Sequence, residues 1–406
     1  MREVVITGLG AVAPNGVGND NFWSALKEGK SGIRRISRFD VSGYPSQIGG
    51  EIPPEWIESL ESLESRENGR PWSARLILAA ARLALQDAGI SQDEFHASQS
   101  GIWVGVSTSD MGVVESEYER FRESGFTKPT NVYYSFPHTA ASELASALKC
   151  PSQVITVSAG CPSGLFSIIY AAESIMQGNT QVALAGGGDA PLTPLAYASF
   201  CSAGLMPTTY NDAPQAASRP FDAKREGGVL AEGAGMVVLE DAEHASLRGA
   251  KIYARLDGWS ISNATSPKQL KASFVASLSG ALRKAGLSPV MIDYISPHAP
   301  GDKLIDKMET MAIKEVFGSF ACNVPVSSIK SMIGNPLAAA GPLQLIATVQ
   351  IIQHRYITPT INYEYPDPSC DLDCVPNKGR VARVNRALIN LHGIGGANAS
   401  LVIKGQ

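Results

Sequence analysis

Apolar residues along this chain fall into short runs of strand type that alternate with longer stretches at helical spacing. Gln153 to Val157 (QVITV) is a β-branched run, Ser158 to Gly160 are small turn formers, and Leu165, Ile168, Ile169, Ala172, Ile175 and Met176 then recur on one helix face. Pro162 suits the first position of that helix and Gly178 lies just past its end. The pattern predicts a strand turning sharply into a helix that is buried mostly along one face, with Cys161 at the corner.

The opening VVITGLGAVAPNG places Gly8, Gly10 and Ala13 at the spacing of a dinucleotide-binding turn. Pro14, Asn15 and Gly16 break any helix that would hold a pyrophosphate there, so the helix is expected later, at about Asn19 to Lys27. Ala74 to Ala88 reads as an alanine-rich helix, and Ile102 to Val106 and Gly235 to Leu239 read as strands. Gly186 to Asp189 follows a strand but lacks the lysine and serine of a phosphate loop, so close backbone packing accounts for its glycines. The stretch from Thr108 to Pro137 carries Tyr118, Phe121, Phe126, Tyr133, Tyr134 and Phe136, as a cap or an interface would.

After a linker around Asp241 to Lys251 the alternation resumes, which divides the chain near residue 250 into halves 1–250 and 251–406. The second half echoes the first: Asn323 to Ser328 is a strand-like run, Ile333 to Pro336 a glycine-proline corner, and Pro342 to Gln353 an apolar-spaced helix. Such a duplication predicts two related α/β halves about a pseudo-two-fold axis with their corners facing one site. Cys161 and Asn335 are then neighbours.

Composition narrows the possible functions. With 406 residues, 44% hydrophobic and 18% charged, the chain can bury two sizeable cores. No apolar run is long enough for a membrane span, and the start MREVVITGLG has no secretory signal pattern, so a cytoplasmic location is expected. A net charge of −4 without a basic block argues against nucleic acid as a partner. The six cysteines lack paired metal-ligand spacing and are expected to be reduced.

Candidate chemistry centres on Cys161. Amides at a helix start favour a thiolate, and the small neighbours Ser158, Ala159, Gly160, Ser163 and Gly164 let another molecule approach the sulfur. The competing reading is a small buried core cysteine. His298 follows the run IDYIS and His392 follows RALIN, and strand C-terminal ends are where open α/β folds bind ligands. His96, His138, His244 and His354 are assigned structural roles. Gly393, Gly395 and Gly396 can leave a backbone amide free to face a reacting oxygen. Cysteine, histidine and amide together suit acyl transfer.

The chain carries, in this order, VVITGLGAVAPNG, SAGCPSG, AGGGDAPLTPLAYASF, ASRPFDAKREGGVLAEGAG, KMETMAIKEVFG, VSSIKSMIGNPLAAAG, TPTINYEYPDPSCDLDCVPN and GIGGANASLVIK. On them, over nearly its whole length, the chain resembles the β-ketoacyl-acyl carrier protein synthases of the elongating type, a branch of the thiolase-like condensing enzymes. The resemblance implies the five-layered αβαβα thiolase fold and a homodimer, with a heterodimer with a related subunit as the variant. It implies acyl carrier protein or coenzyme A thioesters as partners, and neither a metal nor another cofactor. It makes Cys161 the acylated nucleophile, His298 the first catalytic histidine, Lys330 and Glu309 a supporting charged pair, and the amides of Cys161 and Ile394 the oxyanion hole.

The departures from the family are specific. Asn335 stands where the elongating enzymes carry a second histidine, giving Cys-His-Asn. Pro300 and Asp302 replace threonines that line the pantetheine tunnel, and Ile329 and Ile333 replace two more near Lys330. Gly228, Ile394 and His392 stand where phenylalanines are usual. Loss of large side chains at Gly228 and Ile394 predicts a wider or differently shaped pocket, and Asp302 predicts repulsion of an anionic malonyl group. Three activities fit: a decarboxylative Claisen-type condensing enzyme of polyketide or other specialised metabolism; a non-decarboxylating acyltransferase, cyclase or thioester hydrolase; and a non-catalytic partner resembling a chain-length factor.

Overall fold

The computed structural model describes residues 2–61, 69–108, 110–150 and 152–406. Residue 109 of the aromatic stretch lies outside them. Nine strands build the main sheets: β1 Val4–Ala13, β2 Ser100–Gly105, β3 Gln153–Val157, β4 Val182–Asp189, β5 Gly233–Asp241, β6 Ala254–Asn263, β7 Tyr294–Ser296, β8 Arg386–His392 and β9 Ala397–Gly405. The helices used below are α1 Asn19–Glu28, α2 Trp72–Ala88, α3 Met111–Ser124, α4 Thr139–Leu148, α5 Ser163–Met176, α6 Leu270–Ala285, α7 Lys303–Phe317 and α8 Ala340–His354.

Strand order carries the duplication. The first sheet runs β1-β5-β4-β2-β3, with β5 antiparallel to both neighbours and β4, β2 and β3 parallel to one another. The second runs β6-β9-β8-β7 with the same alternation, and Val326 completes it through one parallel bridge to Ile295. Among the described residues, the two sheets meet only where Val5 and Ile6 pair with Arg255 and Ala254. Helices α2 and α4 cover the outer face of the first sheet, α6 and α7 that of the second, and α5 packs with α8 between the sheets. This is the expected five-layered α/β arrangement.

Several sequence expectations change in detail. The helix α5 is buried almost all round, with Tyr170 its one exposed residue, because a helix between two sheets has apolar neighbours on both sides. Asn323 to Ser328 forms no strand: it follows a 3-10 turn, Gly318–Cys322, and pairs through the single bridge at Val326, since the proline at 325 has no amide to extend a ladder. The linker at Asp241 holds a short helix, Ala242–Leu247, whose first amides donate to the Asp241 carboxylate.

The opening glycines serve packing. A Cβ at Gly10 would lie 1.9 Å from the Ala80 carbonyl oxygen of α2, so only glycine lets β1 and α2 come together. Gly10→Ala should therefore cost at least about 1–3 kcal/mol, read as a lower Tm. Gly43→Ala adds a carbon with no atom within 4 Å and serves as the unchanged control. Equal Tm values for the two variants would show that the sheet and helix can part freely.

Candidate active site

Four loops at strand ends converge on a chamber of about 50 Å³. Cys161, Asn335, His298 and His392 face it, with Gly228, Pro300, Asp302 and Ile394 completing most of its wall. Eight of the ten residues singled out in the sequence thus share one cavity, and Lys330 and Glu309 stand behind it.

The Cys161 corner is tight. Gly160 takes φ +72°, and Ser163 Oγ accepts from the Ala159 amide at 2.8 Å while donating to the Gly160 carbonyl at 2.5 Å. A Cβ at Gly164 would lie 2.3 Å from the Ala338 carbonyl oxygen, so the first turn of α5 seats directly on the Asn335 loop. That loop is held by Asp189, whose buried carboxylate accepts from the amides of Ser107, Thr108 and Ala338, and whose pKa burial raises to about 6. Asn335 lies beside the sulfur, Nδ2 to Sγ 4.0 Å, as the duplication predicts.

Burial pushes the Cys161 thiol up; the Lys330 charge, the Asn335 amide and the Ile394 backbone N–H pull the other way. Desolvation outweighs the helix-start effect expected from the sequence, and the resting sulfur is a thiol.

His298 is fixed from both sides. Glu309 of α7 accepts from the amides of His298 and Ala299, both at 2.8 Å, and from Asn390 Nδ2 at 2.6 Å. Lys330 spends its three N–H groups on the His298 carbonyl (2.5 Å), Gln344 Oε1 (2.9 Å) and His298 Nδ1 (3.4 Å). Lys330 and Glu309 are therefore not a contacting ion pair; each grips His298. Burial brings the Lys330 ammonium down to about 8, raises Glu309 and holds His298 well below the ordinary histidine range. His298 is a neutral ring whose proton sits on Nε2.

Two departures from the family take on new meaning. A side chain at Gly228 would start 3.4 Å from the Pro300 Cβ, an ordinary contact, and Ile394 is 63% exposed, so both positions shape the chamber wall. Asp302 lines its wall but also caps α7, its Oδ1 accepting from the Leu304 and Ile305 amides at 2.9 Å, which compensates part of its charge.

Gln344, Asn390, Asp189 and Asn398 were missed in the sequence. Gln344 is a polar residue inside an otherwise apolar helix run, and Asn390 one inside RALINLH, a signal that was there to read.

Alkylation of Cys161 by iodoacetamide should be slower at pH 7.5 than that of a free cysteine and keep rising beyond pH 9. Lys330→Met removes a cation that favours the thiolate and should lower the rate further at each pH. A plateau near pH 7, followed by mass spectrometry, would contradict this assignment.

Comparison with known proteins agrees with this geometry. The beta-ketoacyl synthase N-terminal domain matches residues 1–245 and the C-terminal domain residues 250–364. A 3-oxoacyl-[acyl-carrier-protein] synthase 2 of Coxiella burnetii is 36% identical over 416 residues, covering 99% of this chain and 98% of the relative. The tetracenomycin polyketide synthase ketoacyl synthase alpha subunit of Streptomyces glaucescens is 37% identical, covering 99% and 97%. Among solved structures, a type II polyketide ketosynthase in complex with its acyl carrier protein and bound to the hexaketide superposes with a TM-score of 0.91 at 33% identity, covering all of both chains. The ishigamide ketosynthase/chain length factor gives 0.91 at 32%, covering 100% and 99%. With matches along the whole chain and a duplicated sheet order around one cysteine-bearing chamber, the protein belongs to the β-ketoacyl synthase family of thiolase-like condensing enzymes.

Proposed function

We propose that this chain is a condensing acyltransferase that holds an acyl group on Cys161 and joins it to a malonyl-type unit on an acyl carrier protein, in polyketide or other specialised metabolism in the cytoplasm. The observation that carries this reading is the meeting of a corner thiol, the Ile394 amide directed at it and a histidine held as an Nε2–H donor, all on one chamber. Relatives named for fatty-acid and polyketide synthesis support it.

Loading exchanges one thioester for another: the Cys161 sulfur attacks the acyl carbon, the carrier thiol leaves, and the cysteine proton passes to it. The amides of Cys161 and Ile394 hold the tetrahedral oxygen, a contribution typically worth about 10²–10³ in rate per donor. The malonyl carbon–carboxylate bond then breaks, carbon dioxide departs, and the electron pair moves into the thioester as an enolate. His298 Nε2–H and Asn335 Nδ2–H donate to the enolate oxygen. The enolate carbon bonds to the acyl carbon as the Cys161 C–S bond breaks. Lys330 and Glu309 position His298, and we take residues 1–250 and 251–406 as the two halves that contribute to the site.

Cys161→Ala is expected to abolish both the acyl adduct seen by intact mass and product formation; wild-type turnover in this variant would refute the assignment. Absence of an adduct on the wild-type protein would point instead to a non-catalytic subunit. Asn335→Ala should slow carbon dioxide release from malonyl carrier protein by about 10²-fold, with Asn335→His retaining it. Release unaffected by Asn335→Ala would favour an acyl transfer without decarboxylation.

The assembly we propose is a homodimer. Among the described residues strand β3 pairs only with β2 and leaves an open edge, with Gln153 and Val154 exposed, close in the chain to the exposed Tyr118, Phe121, Phe126, Val132 and Phe136. Native mass spectrometry of the chain alone should give twice the chain mass. A monomer that pairs only with a related subunit would assign the face to a heterodimer.

A further inference from the structure

His392 has no part in the condensation described above, yet it faces the chamber and is only 8% exposed. Its ring packs on Phe274 at 5.3 Å and edge-on to His298 at 5.8 Å. Nδ1 lies 2.9 Å from Asn398 Oδ1. The Asn398 amide is itself fixed, because its Nδ2 donates to Ser273 Oγ at 2.8 Å and to the Gly396 carbonyl at 2.9 Å. The oxygen must therefore face the imidazole, and Nδ1 must carry the hydrogen.

Nε2 of the neutral ring is then a bare lone pair, and no described residue donates to it. His298 has the opposite tautomer, since Lys330 occupies its Nδ1. One small chamber thus presents an imidazole that donates beside an imidazole that accepts. Asn335, on the same wall, has a buried Oδ1 with no partner among the described residues. An acyl carbonyl has no hydrogen to offer these acceptors. Water does, and about 50 Å³ accommodates it.

Solvent-filled space lies close by: His392 and Ile305 also line an outer groove of about 380 Å³ that includes Thr265, Ser266 and Leu304. The titratable groups facing His392 are His298 on the chamber side and Asp302 at the start of α7; Ser273 and Asn398 on its other flank are neutral.

We propose that His392 is a general base that activates water to hydrolyse the acyl group from Cys161, a discharge activity beside condensation. The inference rests on the acyl-Cys161 reading given above. Water oxygen bonds to the acyl carbon as its proton passes to His392 Nε2. The tetrahedral intermediate collapses, the C–S bond breaks, and the leaving sulfur recovers the proton from His392. The balance is acyl thioester plus water giving a carboxylic acid and the free Cys161 thiol.

The test loads wild-type protein with hexanoyl-coenzyme A, removes excess reagent and follows the adduct by intact mass in ¹⁸O-water with no malonyl substrate. The adduct should decay and the released acid should carry one ¹⁸O. His392→Phe and His392→Gln, neither with a basic ring, should decay about 100-fold more slowly from their own starting loads. Burial holds the His392 pKa below its ordinary value, so the wild-type rate should fall only as pH drops below about 6.5 and the lone pair is protonated; neither variant should show this fall. Asn398→Ala, which frees the tautomer, should also slow decay, and Asn398→Asp, which keeps an acceptor on Nδ1, should restore it. Equal decay in wild type and both His392 variants, with matching pH profiles, overturns the proposal. Failure of any adduct to form overturns the acyl-Cys161 reading and this inference with it.

Discussion

Everything at this site depends on placing one ammonium where there is no water. A buried lysine is stable only if each N–H finds an acceptor, and Lys330 meets that demand with a backbone carbonyl, a glutamine oxygen and a ring nitrogen. Those acceptors lie on the loop after β7 and on α8, so satisfying the charge fixes the loop against the central helix. It also fixes where the His298 proton sits. Glu309 does the complementary task from α7, using its carboxylate on two successive amides of the same loop. His298 is thereby held at its backbone as well as at its ring.

The fold was legible because its signals are local and repeated. A β-branched run, small residues at the corner and an apolar helix appear first around Cys161 and again around Asn335, and the sheet orders of the two halves match through four strands, with the Val326 bridge in place of the fifth. The position of Asn335 beside the sulfur followed from that repetition. What the residues alone do not display is what a side chain meets across space. The Pro300 Cβ stands 3.4 Å from where a side chain at 228 would start, and Lys330 and Glu309, a supporting charged pair by resemblance, each hydrogen-bond to the histidine between them.

The thiol shows the same competition. A helix start lowers a cysteine pKa and burial raises it; the sequence displays the first effect plainly and the second only faintly. The balance is set by the depth of the corner, and that depth comes from the close contact of Gly164 with Ala338.

Because α5 and α8 lie face to face between the sheets and each begins at the chamber, their packing acts as a spacer gauge for the reactive opening. A chamber of only about 50 Å³ has little tolerance, so a change of one methylene at Ile168 or Leu343 would be felt as an altered aperture at Cys161 as well as lost core contact. The width of that opening is in this sense set in the middle helix layer, by residues that do not line the chamber.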